Sequence, residues 1–599
     1  MRRCEFTVRF DPVQSLAHPP EGALWADAHL VLAGHDLHPP PRILAVDNGI
    51  LVLLGHPIAA DRLDDGAVLA LWRSRTTVEE FARRLNGTFT ILHYRSDAPA
   101  LTVISDRFGS QPFFYHRDFR GLLLASTSLT GVMLALEQPD LNREACFEFL
   151  HFRRLFGEKT LGVGCRFLEG ARLLRLGPAE AGGRCDLSIG SYLTIDFTKT
   201  SLTAGEFAGG LADALRRAMR RYTSDGRNGA LMLSGGLNAR TLLAAAPQPL
   251  ECLTTCASPN NEFRVAAELA TARGAPHRFL SRPADHLEGL VDDAVFHSGG
   301  MTLFSQAQFG WCAEHLADRA EVVFMGLALE VFFGGLYLPK EPVRLLGWEG
   351  CHFWLDPIQE DVVGQFMAHV GYRTKGPDYR QVVRPERLEE LTQGLRAAVA
   401  AEMAPARELA REPHDLWEYM HLRNFARHYS LQMVRTLEGT VACRLPALDN
   451  EVYAQALAIP VLFKYDWRAY QLALGRLNRK LARIRNANHN IRADLPLYQA
   501  TGIRWLRGLA NRLPISPFRT MPGGADRSWP SHAEIIRFNP EVAATVASLK
   551  KTPRLEELGF LDLDAVRRVV DAHQSGVTDY GILLSVLVTL ERFLALLGH

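Results

Sequence analysis

The sequence predicts an α/β chain with two parts: an α+β sandwich of short strands, then a parallel sheet with helices on both faces and a helical C-terminal region. Up to about residue 125, short apolar runs alternate with Gly, Pro, Asn and Asp in a strand-like pattern. From about 204 to 325, strand-like and helix-like segments alternate, which is typical of a parallel sheet covered by helices. Beyond residue 385 nearly every segment has helical periodicity.

The N-terminal part combines strands with a few helices. Helices are predicted at Ala67–Trp72 and Val78–Leu85, the second capped by Thr76 and Thr77, and over Asn142–Phe156. The predicted strands are Phe6–Phe10, Ala45–Leu54, Thr88–Tyr94, Leu101–Ile104, Phe113–His116, Leu122–Ala125, Gly170–Leu176 and Ser191–Ile195.

A change of pattern near residue 200 separates the two parts. The chain is polar over Asp196–Ala204 and then strongly helical to Tyr222. Together with a length of 599 residues, which exceeds one compact core, this change predicts domains at 1–198 and 199–599. The segments that alternate next are Gly229–Leu233, Arg240–Ala246, Leu250–Cys256, Phe263–Arg273, His277–Leu280 and Val322–Met325.

The overall charge is balanced, with 67 Lys+Arg against 66 Asp+Glu, so the chain has no long-range field to attract nucleic acid or an anionic membrane. Its most apolar stretch, Tyr580–Leu597, is interrupted by Glu591 and Arg592 and predicts a buried terminal helix. The N-terminus lacks the apolar run of a signal peptide, and the nine cysteines show no metal-binding spacing. We therefore expect a cytoplasmic protein with no nucleic-acid or membrane partner.

Two glycines follow the predicted strand at Ala230–Leu233, in the segment Ser234–Ala239, and a helix follows them. Such a turn lets backbone amides and the positive end of the helix dipole face an anion. The segment therefore indicates either a phosphate or pyrophosphate loop or a plain tight connection, and the two glycines alone do not separate these readings.

Several segments in a fixed order resemble the asparagine-synthetase family. Leu233–Thr241 resembles its pyrophosphate loop, Ser-Gly-Gly-x-Asp-Ser, and Gly326–Gly335 resembles its Gly-x-Gly-Gly-Asp-Glu-Leu-Phe-Gly-Gly loop. Arg444–Asp449 is similar to the family's Arg-x-Pro-Phe-Leu-Asp. Further similar segments are Leu85–Phe89 and Asp106–Tyr115 of its class II glutaminase domain, the adenine-side residues Glu262, Ala266, Leu269, Ala270 and His277, and the closing helix Leu584–Leu597. The matches extend over nearly the whole chain.

This resemblance implies a fold and a set of site residues. Residues 1–198 would form an Ntn-hydrolase-like αββα sandwich, and 199–599 an adenine nucleotide α hydrolase-like parallel sheet. The branch it suggests contains β-lactam synthetases and lasso-peptide cyclases. The implied nucleotide and pyrophosphate contacts are Ser234, Gly235, Gly236, Leu237, Asn238, Ala239, Arg240, Thr241 and Gly326. The implied catalytic residues are Glu330, Asp449, Lys464 and Lys480, with Arg435 and Arg444 as further basic candidates. For each basic residue a surface ion pair is the alternative, and for Asp449 a turn or a pair with Arg444.

The glutaminase half departs from the family pattern. A class II glutaminase uses an N-terminal cysteine whose own amine acts as the base, whereas residue 2 here is Arg2. Cys4 would need the removal of three residues, so we predict a glutaminase without its nucleophile. Asn86, Gly87 and Asp106 resemble its pocket, and their retention indicates either a structural turn or residual glutamine binding.

The predicted magnesium positions also depart from the family pattern. The resemblance implies a pair of carboxylates there that holds magnesium on the phosphates of ATP. Here those positions are Asn238 and Glu330, so we predict a weakened metal site. Ala239 removes a hydroxyl that would contact pyrophosphate, worth about 1–3 kcal/mol.

Two functions are compatible with these observations. The first is an ATP-dependent, adenylating enzyme that forms an amide or lactam bond without glutamine, from a small-molecule or peptide substrate with a carboxylate and an amine. The second is a catalytically impaired pseudoenzyme that binds a partner in a biosynthetic pathway. ATP and Mg are the implied cofactors, and a homodimer is a family-level expectation.

Overall fold

The computed structural model describes residues 3–16, 22–177, 186–345, 348–369, 379–510, 528–551 and 554–598. Its strands are β1 Glu5–Phe10, β2 Trp25–Ala26, β3 Leu30–His35, β4 Arg42–Val46, β5 Gly49–Ile58, β6 Asn86–Arg95, β7 Ala100–Ser105, β8 Phe114–Arg117, β9 Leu123–Ser126, β10 Cys165–Phe167, β11 Arg172–Gly177, β12 Asp186–Ser191, β13 Gly229–Met232, β14 Glu251–Cys256, β15 His277–Ser281, β16 Val322–Phe324, β17 Lys340–Leu345, β18 Trp348–Leu355, β19 Ala442–Arg444, β20 Arg485–Asn486 and β21 Ile491–Arg492.

The helices of the first 320 residues are α1 Asp65–Arg73, α2 Val78–Arg84, α3 Leu129–Leu134, α4 Arg143–Phe152, α5 Ala204–Tyr222, α6 Leu237–Ala245, α7 Asn261–Arg273, α8 Val291–Ser298 and α9 Ala313–Ala317. Those that follow are α10 Leu329–Phe333, α11 Val362–His369, α12 Pro385–Met403, α13 Ala406–Leu409, α14 Asp415–Arg423, α15 Tyr429–Glu438, α16 Asn450–Ala458, α17 Val461–Lys464, α18 Arg468–Leu477, α19 Arg479–Arg483, α20 Leu497–Ala510, α21 His532–Phe538, α22 Pro540–Ser548, α23 Leu563–Gln574 and α24 Gly581–Leu596.

The N-terminal part is a sandwich of two antiparallel sheets. Their strand orders are β10-β8-β9-β1-β3-β2 and β12-β11-β7-β6-β5-β4. Alternate residues of β1 and β6, such as Phe6 and Leu92, point between the sheets and form an apolar core. Helices α1 and α2 cover the outer face of the second sheet, and α3 packs on strands of the first. This arrangement confirms the αββα sandwich.

Two predicted strands differ from the observed ones. The stretch Ala45–Leu54 is wrong as a single strand because the chain reverses between β4 and β5, with Asn48 in the left-handed conformation at φ 60°. The second is Ser191–Ile195, since β12 ends at Ser191. Asparagine adopts the left-handed conformation more readily than most residues, so Asp-Asn was the available turn signal.

The second part contains a five-stranded parallel sheet in the order β15-β14-β13-β16-β19. Because crossovers are right-handed, the reversal of direction after β15 places α6 and α7 on one face and α8 and α9 on the other. The edge strand β19 lies within the region whose periodicity predicted helices alone. The predicted boundary at 198/199 falls between β12 and α5, whose first turn is closed by a capping box of Thr203 and Glu206.

The neighbours of β13 determine where a ligand can bind. The chain passes from β13 to β14 on one side, and β16 lies on the other, so the strand order reverses between β13 and β16. In open α/β sheets, ligands bind at the carboxyl ends of the strands at such a point. The two loops that follow these strands contain Ser234–Ala239 and Gly326–Glu330.

The two parts share one apolar core. Phe108 of the sandwich contacts Phe332, Phe425 and Tyr453 of the second part, with ring centroids 5.9, 5.8 and 4.7 Å away. None of the described helices is long and apolar enough to cross a membrane.

We expect Phe108→Ala to lower the free energy of unfolding by about 3–5 kcal/mol, since it empties a packed aromatic site between the two parts. Phe119→Ala is the matched control because that ring is 92% exposed. Urea unfolding followed by tryptophan fluorescence measures both. Equal effects of the two changes would contradict a shared core.

Candidate nucleotide site

A cavity of about 480 Å³ lies at the carboxyl ends of β13 and β16. This volume falls within the range of small-molecule sites. Its wall includes Ser234, Gly236, Leu237, Asn238, Glu262, Glu330, Lys340, Trp467, Gln471, His489, Arg492 and Arg504. The predicted loop residues and Glu330 thus meet in one place.

The loop after β13 forms the floor of this cavity. Its Ser234 hydroxyl accepts a hydrogen bond from the Gly236 amide at 3.3 Å. A Cβ on Gly235 would lie 2.3 Å from the Cβ of Ala487, so no larger residue fits there. Helix α6 begins after Gly236 without a side-chain cap, which leaves its first amides available to an anion at the cavity floor.

Gly326 brings the second loop against the first. A Cβ on Gly326 would lie 2.7 Å from both the Ala239 nitrogen and the Asn238 carbonyl carbon. This backbone contact places Glu330, at the start of α10, in the same wall as Asn238. The close approach explains the glycine at 326.

The residues present do not fit the family's magnesium pair. Asn238 supplies an amide, and its Oδ1 already accepts a hydrogen bond of 3.3 Å from the buried Tyr470 hydroxyl. Glu330 remains as a carboxylate in the wall, with Glu262, which accepts a hydrogen bond from Ser528. Among the described residues no group of three His, Cys, Asp or Glu side chains is placed to hold a metal ion. The site therefore suits an anion better than a tightly held magnesium ion.

Basic residues outside the family-like segments, among them Lys340 and Arg492, contribute positive charge to the cavity wall. Burial lowers the pKa of Lys340, at the start of β17, to about 8, while the charge of Glu330 acts in the opposite direction. Arg492 in β21 donates two hydrogen bonds to Asp494, at 3.0 and 2.7 Å. Gln471 has a buried Oε1 with no hydrogen-bond partner among the described residues. The only sequence signal for Lys340 is its place five residues after Gly335.

Arg240 and Thr241, which are predicted nucleotide contacts, instead stabilise the backbone around the loop. Arg240 is fully buried and donates to the carbonyl oxygens of Gly235, Ile484 and Arg485, at 3.0, 2.6 and 2.7 Å. Thr241 donates its hydroxyl to the Leu237 carbonyl at 2.9 Å. Both residues hold the start of α6 in position and lie outside the cavity wall.

The predicted catalytic lysines lie elsewhere. Lys464 is buried in an ion pair with Glu418 at 2.6 Å, and Lys480 is exposed on α19. Arg435 pairs with the buried Glu438, and the buried Arg444 pairs with Asp225, which is exposed. These positions do not support a catalytic role, and the paired basic side chains are buried, unlike those of the surface pairs considered as the alternative.

Asp449 joins the two parts of the chain. Its carboxylate accepts hydrogen bonds from Asn86 Nδ2 at 2.8 Å and Arg221 Nη1 at 3.1 Å, and it caps α16 through the Glu451 amide at 2.9 Å. The Asn450 amide donates to Asn86 Oδ1 at 3.0 Å. Asp449 thus closes a structural turn, as considered, but with Arg221 as its ion-pair partner.

Asp106 and Gly87, which resemble residues of the family's glutamine pocket, make structural contacts in this chain. Asp106 is buried and accepts hydrogen bonds from the amides of Phe89, Phe108 and Ser110, at 2.9, 2.7 and 3.2 Å. Burial nevertheless raises its pKa. Gly87 adopts φ 93°, and a Cβ there would lie 2.1 Å from the His56 carbonyl oxygen. Asp106 accepts its hydrogen bonds within the chain's own backbone and Gly87 lies in the ladder between β5 and β6, which favours the structural reading.

Cys4 is in no position to act as a thiolate. Burial raises the pKa of its thiol to about 12, and the negative charge of Glu438 acts in the same direction. Its amino nitrogen is in a peptide bond to Arg3, whose guanidinium pairs with Asp293 at 2.9 Å. On the neighbouring α15, Arg435 donates to Gln111 Oε1 at 3.0 Å. The charges of Glu438 and Arg435 on this helix both act on the Cys4 thiol.

Two family models match the chain. The asparagine synthase model matches residues 210–481, and the glutamine amidotransferase domain model matches 55–130. No curated protein matches it.

Solved structures give distant matches. One is an allosteric regulatory enzyme of purine biosynthesis, with 9% identity, 47% of this chain and 76% of that chain covered, and a TM-score of 0.20. Another is glutamine phosphoribosylpyrophosphate amidotransferase from B. subtilis, with 10% identity, 62% and 83% covered, and a TM-score of 0.19. The order of the two matches, glutamine amidotransferase and then asparagine synthase, is the order expected from the resemblance to the asparagine-synthetase family.

Proposed function

We propose that this protein is an ATP-dependent ligase that joins a carboxylate to an amine without using glutamine. The observation that carries this proposal is the cavity in which the Ser234–Ala239 loop, Glu330 and Lys340 meet. Open helix amides and a buried ammonium together suit the phosphates of a nucleotide. The asparagine synthase match over residues 210–481 supports ATP as the nucleotide.

The proposed reaction has two steps. The substrate carboxylate attacks the α-phosphorus of ATP, and the bond to pyrophosphate breaks, leaving an acyl-adenylate. The amine nitrogen then attacks the acyl carbon, AMP leaves with the electron pair of the acyl–oxygen bond, and the amine loses one proton to a base. In this scheme the loop amides and Ser234 hold pyrophosphate, and Lys340 balances negative charge that a metal would otherwise offset. Glu330 is the carboxylate available to accept the proton.

The state of Cys4 in the N-terminal half bears on which molecule supplies the amine. A buried Cys4 thiol whose pKa burial raises to about 12, with its amine in a peptide bond, supports a chain that does not release ammonia from glutamine. The amine is therefore proposed to belong to the substrate or to a second small molecule or peptide. An amine within the same molecule would give a lactam. Assembly as a homodimer and a partner protein that delivers the substrate belong to this proposal as well.

The alternative is a pseudoenzyme that binds a ligand or partner without turnover. The contact between Tyr470 and Asn238 favours it, because the amide oxygen at the expected metal position is already hydrogen-bonded. In that case the native chain would release no pyrophosphate from ATP.

We expect Lys340→Met to reduce ATP-dependent pyrophosphate release about 10²-fold, because it removes a buried cation from the phosphate-binding wall. Lys480→Met is the matched control, an exposed lysine of the same half outside the wall. Release is measured in the presence of a mixture of amino acids and carboxylates that supplies both reactive groups. An unchanged rate in Lys340→Met would remove this lysine from the proposed site.

The affinity for ATP should fall as the pH rises from 7.5 to 9.5. Lys340, with a pKa near 8, is charged below this range and neutral above it, while the phosphates of ATP stay ionised throughout. Calorimetry at several pH values should show the fall in the native chain and a flatter profile in Lys340→Met. Parallel profiles would assign the pH dependence to another group.

The double change Asn238→Asp with Ala239→Ser separates the two functions. If the native chain is an enzyme, it binds ATP, and the double variant binds magnesium-ATP about tenfold or more tightly through the restored carboxylate and hydroxyl. Calorimetry with and without magnesium measures this. If only the double variant binds nucleotide, the native chain is the pseudoenzyme.

A further inference from the structure

A second cavity, of about 1270 Å³, lies between α4 of the sandwich and the helices α11, α12, α21 and α24. It shares no wall residue with the nucleotide cavity. Much of its wall is apolar, including Leu150, Met367, Leu388, Ile582, Leu583 and Val586. A space of this size and composition can enclose a molecule with a substantial apolar body.

Arg153 adds an unbalanced charge to this wall. It follows the last turn of α4 in the left-handed conformation, at φ 59°. Its guanidinium has no hydrogen bond or ion pair with any residue that the structure describes, and burial alone lowers its pKa to about 10. The charge is felt inside the cavity, since the pKa of His532 is lowered to about 4 by burial and, second, by Arg153. Burying a guanidinium without a counterion costs free energy, and a bound anion would offset that cost.

The other charged groups of the wall are already engaged. Arg396 pairs with Asp361 at 2.5 Å, and the carboxylate of Asp579 accepts a hydrogen bond from the Gly581 amide at 2.9 Å. Glu389 accepts one from Gln393 at 3.1 Å, and Arg380, the other arginine of this part of the wall, also has a partner. Arg153 is therefore the group in this wall best placed to receive a ligand charge.

We propose that this cavity binds an anionic amphiphile, a carboxylate with an apolar chain or ring, whose carboxylate pairs with Arg153. The planar guanidinium matches a carboxylate with two parallel hydrogen bonds, and the apolar wall takes the remainder of the molecule. Because α4 belongs to the sandwich and α21 and α24 to the C-terminal helices, the ligand would bridge the two parts of the chain. The proposal does not depend on catalysis at the nucleotide cavity.

The test uses octanoate as the probe and the full-length chain. Calorimetry should show octanoate binding to the native protein, with binding to Arg153→Met about tenfold or more weaker because a charge-assisted contact is lost. Arg387→Met is the matched control, since that guanidinium lies on the same helix α12 outside the cavity wall and pairs with Glu390 at 3.3 Å, and it should bind octanoate as the native chain does. Octanol, which has the same chain without the charge, should bind native protein and Arg153→Met alike.

A second variant distinguishes a loss of octanoate binding from a folding defect. Arg153→Gly removes the same charge while glycine accepts the left-handed conformation without strain, so the fold should be kept. We expect octanoate to raise the Tm of the native chain and to leave that of Arg153→Gly unchanged. The proposal is overturned if the native chain binds no octanoate, or if both Arg153 variants bind it as tightly as the native chain does.

Discussion

The contact between two loop backbones at the carboxyl edge of the parallel sheet is the constraint on which the candidate site depends. Gly326 meets Asn238 and Ala239 so closely that a single added carbon would collide with the backbone. This contact places Glu330 beside the loop after β13 and creates one cavity from two separate segments. The change from aspartate to Asn238 therefore alters the chemistry of the site without altering its shape.

The glutaminase-like domain makes structural contacts with the second part of the chain. Asn86, which resembles a pocket residue, holds Asp449 of the other part, and Asp449 in turn holds Arg221. Phe108 anchors the same interface through ring contacts with Phe332 and Tyr453. Retention of these residues can thus be explained by packing between the domains, because removing one partner of a buried charged network is strongly destabilising.

Charge balance links the two cavities. In the nucleotide cavity Asn238 stands where the family resemblance predicts a carboxylate, and Lys340 contributes a cation. Both features make the wall more suitable for an anion. In the second cavity Arg153 has no counterion among the residues that the structure describes. A buried charge that the protein leaves unbalanced is a physical reason to look for a ligand of opposite charge.

The sequence by itself determined the sandwich, the parallel sheet and the Ser234–Ala239 loop, because these depend on local periodicity, turn residues and motif order. Only the tertiary structure decided which charges face the cavity. It placed Lys464 in a buried pair with Glu418, Arg240 behind the loop and Lys340 in the wall, since contacts between residues far apart in the chain are not written in any local pattern. Folding brings such residues together, and their partners then decide which ones remain available to a ligand.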